Sequence, residues 1–196
     1  MTEGRAIDWE ARYHDGATAW ERPGLHPSFV DWLETGALAP CRILVPGGGR
    51  SSEPLALAEA GFDVTVVDLA ESAVAAQRAR LERLQVAARV ELANLLTWDA
   101  PAPFDAIYDQ ACLCALPPAT WPGYVQRLHR WLRPGGRLFA LFMQTGSAGG
   151  PPFDCGLPAM RSLFPDPPWQ WPATLGNPVP HPSGRIEQPV ILYARS

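Results

Sequence analysis

The stretch "LVPGGGRSSEPLALAEAGFDVTVVDL", residues 44–69, decides the fold of this chain. A short apolar run leads into three glycines, a helix-forming segment follows, and a β-branched run then ends at Asp68. Serine and proline before the helical segment and Gly61 after it are start and stop signals of a helix. The pattern therefore predicts a strand, a glycine turn, a helix and a second strand parallel to the first.

The same alternation continues along the chain. Strands are predicted at "CRILVP", "FDVTVVD", "ARVELAN", "FDAIYD" and "GRLFALFMQ", with helices between them and a short helix at "LPAMRSLF". A terminal strand lies in "RIEQPVILYAR", and we expect it to start after Pro189 or to bulge there, because proline cannot donate to a ladder. Strands that alternate with helices predict a mostly parallel sheet covered on both faces.

About forty residues precede the first strand, and the sheet does not need them. They contain Trp9, Tyr13 and Trp20, followed by "HPSFVDWLETG", an expected amphipathic helix. We expect one domain over residues 1–196, with 1–40 as an aromatic extension and 41–196 as the core. The extension is predicted to be mobile without ligand and to close over the site as a lid.

Composition excludes several classes of function. The net charge of −4 offers no basic stripe for nucleic acid. All sixteen basic residues are arginine, which excludes a Schiff base, a pyridoxal phosphate anchor and the lysine of a P-loop. No stretch approaches the roughly 20 apolar residues of a membrane helix, and the polar N-terminus lacks a signal peptide's apolar segment. We expect a soluble cytoplasmic protein that binds neither nucleic acid nor membrane.

The cysteines and histidines do not form a metal-binding pattern. Cys112 and Cys114 flank a single leucine, too close for ordinary structural zinc, and Cys41 and Cys155 stand far away. Buried free thiols are the expected state. The four histidines are scattered, and we expect no metal.

A ligand is expected at the glycines. Gly47, Gly48 and Gly49 allow the backbone to approach a ligand closely, and the helix that follows offers free N–H groups. Asp68 comes about twenty residues later, where a carboxylate accepts hydrogen bonds from a ribose diol. The pattern favours a nucleoside-type ligand, with an ordinary glycine turn as the alternative.

Three observations separate the candidate cofactors. A P-loop needs a lysine, which this chain lacks. A nicotinamide enzyme usually needs a second half or a catalytic domain beyond the fifth strand, and little room remains for one. Ser52 also replaces the third glycine of the dinucleotide-binding motif. S-adenosylmethionine, with its carboxylate and ammonium group, fits the remaining space better.

At this point the residues carry a resemblance. The segments "WEARYHDGATAW", "ILVPGGGRSSEPLALAEAGFDVTVVDLAESAV", "FDAIYDQACLCALPP", "LRPGG" and "GGPPF" resemble the thiopurine S-methyltransferase family, which includes bacterial and plant thiol and halide methyltransferases. The similarity runs from about Trp9 to Phe164. It implies a Rossmann-like class I methyltransferase with a mostly parallel seven-stranded sheet, S-adenosylmethionine as cofactor and S-adenosylhomocysteine as product.

The resemblance also implies which residues bind the donor. Asp68 matches the acidic ribose ligand, Leu69 packs near the adenine, and Asp109 and Gln110 end the fourth strand at the reaction centre as candidate catalytic residues. The complete implied set is Trp9, Tyr13, Trp20, Gly47, Gly48, Gly49, Asp68, Leu69, Asn94, Leu95, Asp109 and Gln110. Simpler roles remain as alternatives: core packing for Trp9 and Trp20, a turn for Asn94 and a helix cap for Asp109.

The expected acceptor pocket differs from that of the relatives. Relatives often carry arginine where this chain has Gln110, and many carry another where it has Thr120 and Trp121. Fewer arginines favour an acceptor that is less anionic or more apolar than a thiopurine. The residues expected to border the acceptor are Trp20, Trp121, Pro151, Phe153 and Arg185.

We therefore expect an S-adenosylmethionine-dependent methyltransferase, acting as a monomer on a small soft nucleophile, with a thiol favoured. Thiocyanate, halide or selenium and tellurium species are alternative acceptors. A non-catalytic binding protein and a nicotinamide-dependent oxidoreductase are alternatives from other classes. The acceptor itself is not determined by the fold.

Overall fold

The computed structural model describes residues 7–195. Its strands are β1 Arg42–Pro46, β2 Asp63–Asp68, β3 Arg89–Leu92, β4 Phe104–Gln110, β5 Leu132–Gln144, β6 Trp169–Gln170, β7 Val179–Pro180 and β8 Ile186–Ala194. Its α-helices are α1 Trp9–His14, α2 Pro27–Glu34, α3 Glu53–Glu59, α4 Glu71–Leu84, α5 Cys112–Ala115, α6 Trp121–Trp131 and α7 Leu157–Leu163, with a 3-10 turn at Pro118–Thr120.

The strands form a single sheet in the order β3-β2-β1-β4-β5-β8-β6, and β7 also pairs with β8. Strands β1 to β5 are mutually parallel, and β8 runs antiparallel to β5. The chain order reverses between β1 and β4, so their carboxyl ends open a crevice where α/β proteins bind ligands. The predicted Rossmann-like, mostly parallel sheet is confirmed.

Two details of the sheet differ from expectation. The sheet has eight strands, whereas the resemblance implied seven. Six of them match strands expected from the sequence, and the proline-rich C-terminal part adds the two-residue strands β6 and β7, too short to show any periodicity. Strand β8 also passes through Pro189, which lies opposite Leu141 without a register shift. On its other side β8 pairs only near its two ends, so a residue without an N–H is accommodated between them.

Alternating residues of the central strands explain the two packed faces. In β1, Ile43 and Val45 face the cluster that contains α2 and α3, whereas Leu44 faces the cluster that contains α6 and α7. All three side chains are buried. Strands buried on both faces are typical of parallel sheets, and they hold the loops at their carboxyl ends rigidly.

The N-terminal extension divides into two parts. Helix α1 contains no buried residue, whereas α2 buries Phe29 and Trp32 against Tyr108 and Phe139 of the sheet. Helix α2, although it lies within the expected extension 1–40, therefore packs into the hydrophobic core, and the division at residue 40 stays a prediction. Its apolar spacing in "PSFVDWLE" produces a core helix, and only the segment before it can act as a cover.

No helix within residues 7–195 is both long enough and apolar enough to span a membrane.

Candidate active site

The glycine loop leaves β1 at Pro46 and packs tightly against its neighbours. Gly47 and Gly49 have φ angles of 57° and 52°, which favour glycine. A Cβ atom at Gly48 would lie 2.6 Å from Val66, and one at Gly47 would lie 2.9 Å from Cys112 Sγ. Side chains are therefore excluded here, and the bare backbone forms the floor of a cleft.

Asp68 closes the loop from the end of β2. Its Oδ2 accepts a hydrogen bond from the Gly49 N–H at 2.8 Å, and its Oδ1 accepts one from the Ala70 N–H at 2.9 Å. Burial raises the pKa of this carboxyl group, although the backbone N–H groups act in the opposite direction. Leu69 beside it is 54% exposed and lies on the cleft wall. Such exposure of a large apolar side chain inside a cleft favours contact with a flat, apolar ligand group.

Gln77, on α4, also supports the loop, and the sequence did not reveal this role. Its Nε2 donates to the carbonyl oxygens of Gly49 at 3.0 Å and Ser51 at 2.9 Å, and its residue is 1% exposed. Arg80 donates to the same Ser51 carbonyl at 2.7 Å. A single glutamine in an amphipathic helix resembles any other polar residue of its solvent-facing side, so the sequence gives no separate signal for this role.

The N-terminal aromatics meet over the glycine loop. The Trp20 ring lies edge-on to Trp9 at 5.4 Å and to Tyr13 at 5.6 Å between centroids. The Arg50 guanidinium lies 4.4 Å from the centre of the Tyr13 ring, and its Nε is 3.0 Å from Glu21. All three aromatics line the cleft, so the structure brings them together with the glycines as the sequence predicted.

The segment after β3 supplies the next wall. Asn94 and Leu95 both line the cleft. The Asn94 side chain accepts a hydrogen bond from the Leu96 N–H at 2.9 Å, so it also shapes the turn, the alternative role weighed for it. Its predicted contact with a ligand stays a prediction.

Gln110 and Asp109, at the end of β4, differ in position. Gln110 lines the cleft, and its Oε1 accepts a hydrogen bond from the Tyr108 hydroxyl at 2.6 Å. Asp109 is 4% exposed and lies beneath the cleft. There it accepts from the Tyr124 hydroxyl at 2.8 Å and the Cys112 N–H at 3.1 Å. Burial raises the Asp109 pKa to about 6.

Asp109 also shapes the structure beneath the cleft, and its expected role at the reaction centre stays a prediction. Its carboxylate also accepts from the Leu113 N–H at 3.3 Å, so it caps the short helix α5 and holds Ala111, whose φ is 62°, at the cleft wall. Capping was the alternative role, and aspartate favours it because its oxygens satisfy the free N–H groups of a first helical turn.

The expected acceptor residues also separate. Trp20, Pro151 and Arg185 line the cleft. Trp121 does not: it begins α6, is 8% exposed and donates from Nε1 to the Leu116 carbonyl at 2.9 Å. Phe153 lies outside the lining as well, with its ring against Gly150. Both aromatic rings are occupied by packing, which sequence position alone does not reveal.

A buried ionic cluster at the other end of the cleft was missed. Arg22 donates to Glu187 Oε2 at 2.9 Å and to the Pro180 carbonyl at 2.9 Å. His26 Nε2 lies 3.2 Å from the same Glu187 oxygen. Burial acts to raise the Glu187 pKa, but His26 and Arg22 hold it below its usual value. Glu187 lies about 160 positions after Arg22 and His26, so no local pattern in the sequence reveals this cluster.

Glu53 and His181 also face this end of the cleft. Glu53, at the start of α3, is 1% exposed and accepts from the His26 N–H at 2.9 Å. His181 precedes the turn into β8. In the sequence, Glu53 stands out as a carboxylate at the apolar start of a predicted helix. His181 stands out as a histidine among prolines.

Together these groups enclose a cavity of about 350 Å³, the size range of small-molecule sites. The bare backbone of Gly47–Gly49 lets a ligand approach closely, and the Asp68 carboxylate suits a ribose diol. The rings of Trp9, Tyr13 and Trp20 suit a sulfonium cation. The residues present therefore fit S-adenosylmethionine. Among residues 7–195 no cluster of three or more histidine, cysteine, aspartate or glutamate side chains is arranged for a metal.

Comparisons with known proteins agree with this geometry. A family model, "Thiopurine S-methyltransferase (TPMT)", matches residues 5–172. "Probable thiol methyltransferase 2" of Arabidopsis thaliana is 31% identical over 157 residues, 79% of this chain and 70% of that protein. "Thiocyanate methyltransferase 1" of the same plant is 29% identical over 148 residues, 74% of this chain and 65% of that protein. "Thiopurine S-methyltransferase" of Aliivibrio salmonicida is 32% identical over 174 residues, covering 80% and 81% of the two chains.

Solved structures show the same fold. The Burkholderia thailandensis 1,6-didemethyltoxoflavin-N1-methyltransferase with bound S-adenosylhomocysteine superposes with a TM-score of 0.76 at 23% identity, covering 95% of this chain and 85% of that one. The predicted family, fold and cofactor are thereby confirmed. The chain belongs to the thiopurine S-methyltransferase family and is an S-adenosylmethionine-dependent methyltransferase of small molecules.

Proposed function

We propose that this protein transfers the methyl group of S-adenosylmethionine to the sulfur of a small thiol. The observation that carries the proposal is one continuous cleft, which runs from the Asp68 carboxylate and the glycine loop to Gln110 and on to an end bordered by Met143 and Pro151. Relatives named as thiol and thiopurine methyltransferases support a sulfur acceptor.

The donor end of the cleft binds S-adenosylmethionine and orients it. Asp68 accepts hydrogen bonds from the ribose diol, Leu69, Asn94 and Leu95 border the adenine, and the backbone of Gly47–Gly49 lies along the amino-acid end. When bound, S-adenosylmethionine supplies an activated methyl group on a positive sulfur. The protein then has mainly to align the acceptor with it, and in well-oriented reactions alignment contributes up to about 7–11 kcal/mol.

The N-terminal segment with Trp9, Tyr13 and Trp20, here called the cover, excludes water from the cleft and faces the positive charge of the sulfonium. Trp9, Tyr13 and Trp20 present aromatic rings to the cleft, and a cation beside such a ring gains about 0.5–2 kcal/mol. We propose that this segment closes over the donor, since α1 carries no buried residue of its own. Its remaining anchors are polar: Glu10 accepts from the Ser72 N–H at 3.0 Å, and Arg22 donates to Glu187.

The acceptor is proposed to be a thiol with a largely apolar body. Gln110 is neutral and already engaged by Tyr108, and the charge of Arg22 is paired with Glu187. Arg185 remains as the arginine at this end without a charged partner among residues 7–195. Thiocyanate is a second candidate acceptor, supported by the relative named as a thiocyanate methyltransferase.

A panel of acceptors tests the proposal. Apolar thiols, thiopurines, thiocyanate, iodide and selenium or tellurium oxyanions are assayed with S-adenosylmethionine, with wild type and Gln110→Arg in parallel. We expect apolar thiols to be preferred, and Gln110→Arg to improve thiopurines relative to them, because it restores a positive charge. Preference of the wild type for thiopurines, or for any acceptor without sulfur, would contradict the proposal.

We also propose that the protein works as a monomer in the cytoplasm. All four cysteines are free thiols, as expected in a reducing compartment. Light scattering of the purified protein tests the first point, and fractionation of the producing cell tests the second.

A further inference from the structure

His181 stands at the acceptor end of the cleft, and neither the sequence motifs nor the donor site accounts for it. It occupies the turn between β7 and β8, where its N–H donates to the Arg185 carbonyl at 2.8 Å and its carbonyl accepts from the Gly184 N–H at 2.9 Å. The residue is 7% exposed and shares the cleft wall with Cys114 and Met143. This hairpin turn fixes the position of the imidazole.

The ring has a defined tautomer. Its Nδ1 accepts a hydrogen bond from the Ser183 N–H at 3.1 Å and lies 2.7 Å from the Ser183 hydroxyl. Because the backbone N–H must donate, Nδ1 carries no proton in the neutral ring, and Nε2 carries it. Nε2 has no hydrogen-bond partner among residues 7–195. It is also not one of the side-chain atoms that are completely buried without a partner. Its N–H is therefore accessible, and the residue that carries it lines the cleft.

The surroundings keep this ring neutral. Burial is the main cause that lowers the His181 pKa, and the positive charges of Arg22 and Arg185 add to it, as does His26. Glu187 acts in the opposite direction without reversing the shift. At neutral pH the imidazole is thus an uncharged donor with one N–H available.

Other groups near the cleft are already engaged. The Tyr108 hydroxyl donates to Gln110, and Asp109 is enclosed by Tyr124 and the first turn of α5. Burial raises the pKa of the Cys112 and Cys114 thiols well above the usual value, so neither thiol ionises near neutral pH. The His181 N–H is free where these groups are not.

We propose that His181 binds the acceptor sulfur through its Nε2–H and stabilises it as the thiolate. This inference rests on the thiol acceptor proposed above. The bound thiol loses its proton to solvent, and the hydrogen bond lowers its pKa. A sulfur lone pair then forms the new S–C bond, the C–S bond of the sulfonium breaks, and its electron pair stays on the departing sulfur, which becomes a neutral thioether.

The test compares His181→Ala with His181→Gln, whose amide can still donate. At a pH below the pKa of the acceptor thiol, His181→Ala is expected to lower kcat/KM roughly tenfold or more. This is the effect of losing a hydrogen bond to a charged group. The pH profile of kcat at saturating thiol is expected to move to higher pH by about one unit, because kcat reports the bound thiol, which ionises less readily without this hydrogen bond. His181→Gln is expected to restore part of both effects.

Two controls separate this role from a structural one. His129→Ala, on the outer part of α6, removes an imidazole away from the cleft and is expected to leave kcat/KM unchanged. Calorimetric affinity for S-adenosylhomocysteine is expected to be the same in wild type and in both His181 variants, which shows that they are folded. An unshifted profile in His181→Ala, or equal loss in His181→Ala and His181→Gln, overturns the inference. Absence of thiol turnover in the wild type instead overturns the proposed acceptor, and the inference with it.

Discussion

At the scale of single residues, Asp68 has two tasks. It accepts the N–H groups of Gly49 and Ala70, and it keeps lone pairs for a ribose diol. The same carboxylate therefore shapes the loop, and we propose that it also binds the donor. Sequence position alone indicated only the second task.

Replacing Asp68 tests this double role. Asp68→Ala is expected to weaken binding of S-adenosylhomocysteine by about 1.5–3 kcal/mol, because hydrogen bonds to a charged group are lost. Asp63→Ala is the matched control: it lies at the other end of β2 and pairs with Arg89 on the surface. Calorimetry measures both, and unchanged affinity in Asp68→Ala would remove this residue from the donor site.

Asp109 supports a prediction about pH. Burial raises its folded pKa to about 6 from the usual 3.8, so the folded state holds its proton more tightly than the unfolded state does. Stability from this group is complete below the unfolded pKa and decreases as pH rises through the window up to the folded pKa. Two units correspond to roughly 3 kcal/mol.

The matched variant is Asp109→Asn, which keeps an acceptor oxygen for α5 and does not titrate. Urea unfolding at about pH 4 and about pH 7 should show wild type losing stability relative to Asp109→Asn as pH rises. A difference between the two proteins that is the same at both pH values would show that Asp109 does not titrate in this range.

At the scale of elements, α1 and α2 differ although both precede the sheet. Phe29 of α2 is completely buried against Tyr108, and Trp9 of α1 is half-buried beside the cleft. Helix α2 therefore belongs to the core, and α1, which has no buried residue, is the part that we propose as the cover.

A pair of truncations separates the two helices. Phe29→Ala is expected to lower the free energy of unfolding by about 3–5 kcal/mol, as buried aromatics do. Trp9→Ala should cost less than about 1 kcal/mol without ligand, typical of residues outside the core, but weaken S-adenosylhomocysteine binding. Chemical denaturation and calorimetry measure the two quantities. Equal destabilisation by both variants would make α1 ordinary core.

At the scale of the whole molecule, ligand binding and folding are linked, because the cleft draws its walls from both ends of the chain and from the centre of the sheet. A ligand that binds only the folded state stabilises it, by about 2.7 kcal/mol at a hundredfold excess over Kd. For a chain of this size, that corresponds to a rise in Tm of roughly 5–10 °C.

Thermal unfolding therefore distinguishes donors. S-adenosylhomocysteine is expected to raise Tm by this amount, and NADH at the same concentration to leave it unchanged, since the glycine loop lacks the third glycine of a dinucleotide site. A comparable rise with NADH would contradict the assignment of the donor end.

Local pattern by itself predicted the fold and a ligand at the glycines, and the resemblance of short motifs predicted the family and the donor end. The alternation from β1 to β5, the three glycines and Asp68 lie within short stretches whose spacing is set by strand and helix geometry. Their positions at the carboxyl edge of the sheet follow from parallel connectivity. The residues implied for the donor end line the cleft, except Asp109, which lies beneath it, and their contact with the donor stays a prediction.

Only the tertiary structure decided which residues meet at the proposed acceptor end. Arg22, His181 and Glu187 meet there because the antiparallel strand β8 returns beside β5 and brings the C-terminus to the N-terminal segment. The same packing removes Trp121 and Phe153 from the cleft, since their rings fill space between elements. Contacts between distant parts of a chain depend on how whole elements pack, and no local spacing encodes them.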